Sequence, residues 1–173
     1  MRAFLALPLP EHVHNELQRI SRILEPLRIT QTLAQHHHLT LHFFTDLTRE
    51  HAAELSKKLA TFTFTPFTAH ILPPDTFPPD GSARVIYAGT GPAAPFTTLH
   101  DALHARLGIP KDARPFTPHI TLSRITEGHI TAHHLEFITI PPLQWTVDHV
   151  ILYKSELTPH GPKHTELARS PAP

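Results

Sequence analysis

A chain of 173 residues with 40% hydrophobic and 17% charged content can bury one substantial core, which excludes a disordered polypeptide. Lys+Arg and Asp+Glu both total 15. That balance excludes a protein that grips long nucleic acid through bulk positive charge, though not a local basic site for one phosphate. Cysteine is absent, so disulfides, thiolate nucleophiles and thiolate metal sites are excluded as well.

Arg2 to Leu7 reads as a strand, cut off by Pro8 and Pro10. This run is too short for a signal peptide, and no run approaches membrane-spanning length. The expectation is a soluble, cytoplasmic monomer with no membrane partner. Glu11 to Leu27 carries Val13, Leu17, Ile20, Leu24 and Leu27 at helical spacing, with Pro10 suited to the first turn. His37 to Phe44 reads as a strand and Arg49 to Ala60 as a helix. Phe62 to Ile71 reads as a strand broken at Pro66. Pro73-Pro74 through Gly81 reads as a loop by its proline and glycine content. Arg84 to Gly89 is a short strand, and Pro95 to Leu107 a helix that Gly108 closes. Thr117 to Arg124 is a strand, His129 to Phe137 a short helix and Leu143 to Tyr153 a strand. Residues 170–173 form a frayed tail.

Helices alternate with strands that are amphipathic rather than wholly apolar. The predicted class is therefore α+β, with mainly antiparallel sheet and flanking helices. Residues 1–173 make a single bilobal domain, its two pseudo-symmetric lobes set around a central cleft.

Two short stretches suggest that pseudo-symmetry. His38-Leu39-Thr40-Leu41 lies in the first half, and His119-Ile120-Thr121-Leu122 answers it in the second. Side chains alternate along a strand, so each copy presents one imidazole and one hydroxyl on a polar face backed by an apolar one. With 17 histidines in the chain, about two bare His-x-Thr triplets are expected by chance, and three occur. Requiring an apolar middle residue and a following leucine lowers the expectation to roughly a tenth of an occurrence. Only the two copies meet it; His129-Ile130-Thr131-Ala132 does not. Two histidines suit acid–base work on a phosphate, since an unperturbed imidazole populates both protonation states near neutrality. Threonine hydroxyls on the same face can donate to phosphate oxygens. The scheme needs neither metal nor cofactor. The clusters His36-His37-His38 and His133-His134 lack matched carboxylates and helical spacing, so no metal site is expected. Arg84, Arg114 and Lys154 are candidates to rim the cleft and steer a substrate, with solvated surface as the default reading for each.

The segments His38-Leu39-Thr40-Leu41-His42-Phe43 and Arg114-Pro115-Phe116-Thr117-Pro118-His119-Ile120-Thr121-Leu122-Ser123-Arg124 resemble the paired signatures of the 2H phosphoesterase superfamily. The likeness is nearest to its bacterial RNA 2',3'-cyclic phosphodiesterases, long called 2'-5' RNA ligases. Arg2-Ala3-Phe4-Leu5-Ala6-Leu7, Arg84-Val85-Ile86-Tyr87-Ala88-Gly89 and Leu152-Tyr153-Lys154-Ser155-Glu156-Leu157-Thr158-Pro159 agree with it in order. The resemblance implies a bilobal α+β fold and metal-independent hydrolysis of RNA 2',3'-cyclic phosphate ends, or of cyclic nucleotides, to 2'-phosphates. It also implies weak reverse 2'-5' ligation. By this analogy His38 protonates the leaving 3'-oxygen and His119 activates water. Thr40 and Thr121 hold the phosphate, Phe43 stacks on a base, and Arg124 contacts phosphate or base. Strict alternation would turn Phe43 and Arg124 away from the polar face, so a twist, bulge or strand end must redirect them. Two alternatives stand beside this one: a related phosphoesterase for other cyclic nucleotides or ADP-ribose cyclic phosphate, and a non-catalytic RNA-end binder.

Overall fold

The computed structural model describes residues 1–27, 29–80, 82–110, 113–159 and 161–172. In β1 (Ala3–Leu7) all five residues are buried, as expected for a strand covered on both faces. It lies between two antiparallel neighbours, β3 (Leu39–Phe44) and β8 (Ile151–Thr158). Between β1 and β3 runs α1 (Glu11–Ile23), which buries Val13, Leu17 and Ile20. Pro10 stands just outside the first turn, as an N-cap with extended backbone. The helix ends short of the predicted Leu27 because Pro26 lacks an N–H and disfavours helical geometry in the residue before it.

The second half repeats this plan with β5 (Val85–Gly91), α3 (Ala93–Leu107) and β6 (His119–Glu127). Helix α3 also starts after a proline N-cap, Pro92, and buries Phe96, Leu99, Leu103 and Leu107. It stops at Gly108, whose φ of 71° is the left-handed geometry in which a Cβ is strained. Helix α2 (Arg49–Leu59) is capped by Thr48, whose hydroxyl accepts the His51 N–H at 3.1 Å.

Several elements differ from their sequence expectation. Strand β4 (Phe67–Phe77) starts after Pro66 and continues through Pro73-Pro74, which composition marks as loop. Its second neighbour, β7 (Gln144–Val147), pairs with it only from Phe67 to His70. The register against β5 shifts between Leu72 and Pro74, so the prolines occupy a bulge where the ladder does not need their N–H. The strand expected over Leu143–Tyr153 is two strands, β7 and β8, interrupted at residues 148–150. The helix expected over His129–Phe137 is one 3-10 turn, Ala132–Leu135. Strands β2 (Thr30–Leu33) and β9 (Gly161–Arg169) carry no apolar alternation and escape periodicity altogether. Of the tail expected to fray, Ser170 is fully buried. Its N–H donates to the Val150 carbonyl and its hydroxyl accepts the Val150 N–H, both at 2.9 Å. Pro171 and Ala172 are exposed.

Among the described residues nine strands form one sheet in the order β7-β4-β5-β6-β3-β1-β8-β9, with β2 added to β6. Every named strand pair is antiparallel. The order divides at the β6–β3 contact into two halves, each built on a strand–helix–strand unit, and this is the α+β bilobal plan. Residues of β4 and β7 line the same cavity as residues of β8 and β9, so the two ends of the sheet curl toward each other. Leu39, Leu41, Ile120 and Leu122 join the apolar faces of α1, α2 and α3 in one core. Burying such aliphatic side chains stabilises the fold by about 1.5–3 kcal/mol apiece. No helix among the described residues is long and apolar enough to cross a membrane.

Candidate active site

The two halves meet where Leu39 of β3 stands opposite Ile120 of β6 in an antiparallel pair. Both residues are fully buried, so their strand neighbours point to the other face of the sheet. In antiparallel register His38 then falls beside Thr121, and Thr40 beside His119. The histidines occupy one diagonal of this rectangle and the threonines the other, related by a local two-fold axis through the Leu39–Ile120 pair. In a regular ladder such diagonal neighbours are attached roughly 7–8 Å apart, a spacing that admits one tetrahedral phosphate between the rings.

Each strand then bulges one residue after its threonine. Across β1–β3, Ala6 pairs with Thr40 but Leu5 pairs with His42, which makes Leu41 the extra residue. Beyond it Phe43 stands opposite Phe4, and Phe4 shares a face with Ala6 and Thr40. Across β5–β6, Tyr87 pairs with Thr121 but Ile86 pairs with Ser123, which makes Leu122 the extra residue. Arg124 therefore stands opposite Val85 on the face of Tyr87 and Thr121. One extra residue reverses the alternation, so both bulges bring the side chain five positions past the histidine back to the histidine face. Phe43 is 41% exposed there, with the Arg2 guanidinium 5.3 Å from its ring centroid.

Strand β2 buttresses the second bulge. The Ala34 N–H donates to the carbonyl of Leu122 at 2.8 Å, and Thr32 stands opposite Arg124. Ser123, fully buried, donates to Gln31 Oε1 at 2.6 Å, and the Gln31 amide donates to the Leu24 carbonyl at the end of α1. A buried hydroxyl is thus satisfied, and β6 is tied to the helix before it.

The imidazoles are held alike. His38 Nδ1 lies 3.0 Å from the His36 carbonyl, and His119 Nδ1 lies 2.7 Å from the Thr117 carbonyl. A carbonyl only accepts, so each Nδ1 carries its proton, and Nε2 is the atom left to exchange one. The His38 ring stacks on Phe4 at 4.7 Å between centroids and meets His164 edge-on at 5.4 Å. The His119 ring packs against Phe77 at 5.2 Å and Tyr87 at 5.4 Å. Burial pushes His38 down to about 4, and the positive charge of His164 acts in the same direction. Burial also lowers His119; its bond to the Thr117 carbonyl opposes this, and the charge of Arg124 adds to it. Both rings are neutral at pH 7 in the free protein, and a bound anion favours protonation of either. Neither the Thr40 nor the Thr121 hydroxyl bonds to another described residue.

The remaining candidate histidines separate cleanly. His37 points the opposite way from His38 and is buried against Ser21, whose hydroxyl lies 3.1 Å from its Nε2. The third triplet serves a turn: the Thr131 hydroxyl and the His134 ring bond at 2.9 Å in a capping box. His133 pairs with Glu136 on the surface. Among the described residues no group of three or more His, Asp or Glu is arranged to hold a metal ion. Lys154 is engaged with Glu156 at 2.9 Å, while Arg84 and Arg114 are exposed. Sequence reasoning missed Phe4, Phe77, Tyr87 and His164 as the walls of the two imidazoles. Period-two alternation along β1, which puts Arg2, Phe4 and Ala6 on one face, was the signal that could have found Phe4.

The family model of the 2'-5' RNA ligase superfamily matches residues 9–159. The RNA 2',3'-cyclic phosphodiesterase of Thermus thermophilus is 32% identical over 186 residues, covering 98% of this chain and 89% of that protein. The protein of the same name from Methanocaldococcus jannaschii is 25% identical, covering 94% of this chain and 95% of that protein. Among solved structures, TT0787 of Thermus thermophilus superposes with a TM-score of 0.76 at 31% identity, covering 98% of this chain and 96% of that one. E. coli LigT complexed with 3'-AMP gives a TM-score of 0.75 at 26% identity, covering 97% and 95%.

Proposed function

Because this chain belongs to the 2'-5' RNA ligase superfamily, we propose that it hydrolyses RNA 2',3'-cyclic phosphate ends to 2'-phosphates. The observation that carries this is the two-fold pairing of His38 with His119 about the Leu39–Ile120 pair, each ring with Nδ1 tied back and Nε2 free to exchange a proton. In-line displacement at phosphorus needs a base on one side and an acid on the other, and diagonal placement supplies both. His119 Nε2 takes a proton from water as the water oxygen bonds to phosphorus. The bond from phosphorus to the 3'-oxygen breaks, and His38, protonated at Nε2, gives that oxygen its proton. The products are a 2'-phosphate and a free 3'-hydroxyl. Thr40 and Thr121, on the other diagonal, donate to the two non-bridging oxygens, where negative charge builds. Phe43 stacks on the base, and Arg124 holds phosphate or base. With a 5'-hydroxyl in place of water the same proton transfers give 2'-5' ligation: the 5'-oxygen bonds to phosphorus, the bond to the 3'-oxygen breaks, and His38 protonates that oxygen. Read backwards, the step cleaves the 2'-5' linkage.

Two imidazoles supply both proton transfers, so the chemistry does not call for a metal. Incubation with 2',3'-cyclic AMP in excess EDTA is expected to give turnover to 2'-AMP. Binding without turnover would leave an RNA-end binder, and 3'-AMP as the main product would reverse the assignment of the leaving oxygen.

A further inference from the structure

A cavity of ≈ 720 Å³ opens between the curled ends of the sheet, lined by Thr68, Gln144 and Thr146 on one side and Ile151, Tyr153 and Arg169 on the other. It opens onto the histidine face. Ile151 and Tyr153 stand opposite Ala6 and Phe4 across β1–β8, and those two stand opposite Thr40 and Phe43 across β1–β3. Neither imidazole lines it, and a stack of rings joins one of its walls to His38. Tyr153 stacks on Phe4 at 5.3 Å, and Phe4 stacks on His38 at 4.7 Å. Phe77 and Tyr87, which wall His119, take no part in its lining.

We propose that this cavity is the subsite for the nucleoside immediately 5' of the cyclic phosphate end. This rests on the phosphodiesterase reading with His38 at the 3'-oxygen, and the stereochemistry of ribose then gives the direction. Carbon 3' is bonded to carbon 4', which bears carbon 5' and the upstream phosphodiester. Carbon 2', on the far side, is bonded to carbon 1' and the terminal base. The chain upstream therefore leaves the reacting phosphate on the side of His38, along the stack that ends at Tyr153. The volume falls in the range of small-molecule pockets and exceeds what one nucleoside needs. A base can extend the stack on Tyr153, while Thr68, Gln144 and Thr146 offer polar groups to its edge. The Arg169 guanidinium of its lining is already engaged, making two bonds to Glu166 at 2.7 and 2.6 Å, and Asp148 bonds to the His149 ring. That suits one nucleoside rather than a run of phosphates.

The test compares 2',3'-cyclic AMP with the dinucleotide ApA carrying a 2',3'-cyclic phosphate, in the wild type, Thr146→Trp and Tyr153→Ala. Thr146 is exposed on β7, so tryptophan there fills the cavity without entering the core. The wild type is expected to show at least about tenfold higher kcat/KM for the dinucleotide, about 1.4 kcal/mol of added binding in the transition state. Thr146→Trp should abolish that preference while leaving the mononucleotide within about twofold, and Tyr153→Ala should reduce the preference. Equal rates for both substrates in the wild type, or a preference that survives Thr146→Trp, would overturn the subsite and leave the phosphodiesterase reading standing. Turnover of neither substrate by the wild type would overturn both.

Discussion

His38→Ala and His119→Ala are each expected to lower kcat for 2',3'-cyclic AMP by about 10²–10⁴-fold, the usual worth of one positioned proton transfer. The double variant should fall little further than the worse single one, because acid and base act in one concerted displacement and their effects do not add. Folding should survive both changes. The packing at the junction is carried by Leu39 and Ile120, both fully buried, whereas the two imidazoles sit half-buried on the opposite face. Steady-state kinetics alongside thermal melts separates the two effects. A loss of activity that tracked a loss of folded protein would remove the catalytic assignment.

Thr40→Val and Thr121→Val are expected to cost about 10²–10³-fold each in kcat, as when one donor is removed from a site that stabilises a developing oxyanion. Valine keeps the shape and β-branching of threonine, so the strand and its neighbours are preserved while one hydroxyl is lost. Both threonines stand on the histidine face and neither hydroxyl bonds to another described residue, so neither substitution breaks a structural hydrogen bond. Thr131→Val is the internal control: its hydroxyl bonds to the ring of His134 at a surface turn, and its loss should leave kcat unchanged. Equal effects of Thr131→Val and Thr121→Val would contradict the assignment of the hydroxyls.

Much of this geometry was legible in the residues. Apolar spacing located α1, α2 and α3, and the repeated His-x-Thr-Leu pattern singled out the two strands that the fold sets side by side. The helix and strand signals are local, fixed by burial of one face. The bulges were legible only as a requirement. Alternation alone sends Phe43 and Arg124 to the wrong face, and which residue is extra depends on the register of β1 and β5, which no local window contains. Strand β2, with the sequence TQTL, was invisible because its place is fixed by ladder bonds to β6 and by Ser123 and Gln31 rather than by burying an apolar face. His164 escaped for the same reason: it reaches His38 only because β9 pairs with β8 and β8 with β1. Pro73-Pro74 misled in the opposite sense, since proline marks a loop unless a bulge or a free strand edge excuses it.

Paired imidazole catalysis is tested most directly by the pH dependence of kcat/KM for 2',3'-cyclic AMP, which reports the ionisations of the free enzyme. Below both imidazole pKa values no base remains, and above both no acid remains, so the profile is a bell whichever ring plays which part. With His38 pushed down to about 4 and His119 lowered from its ordinary 6.5, both midpoints should lie below pH 6.5. The limbs of kcat should move to higher pH, because a bound phosphate anion favours the protonated rings. Each single His→Ala variant should keep only one limb in its residual activity. A profile flat from pH 4 to pH 8, or a full bell surviving in His38→Ala, would contradict a mechanism in which these two rings share one phosphorus.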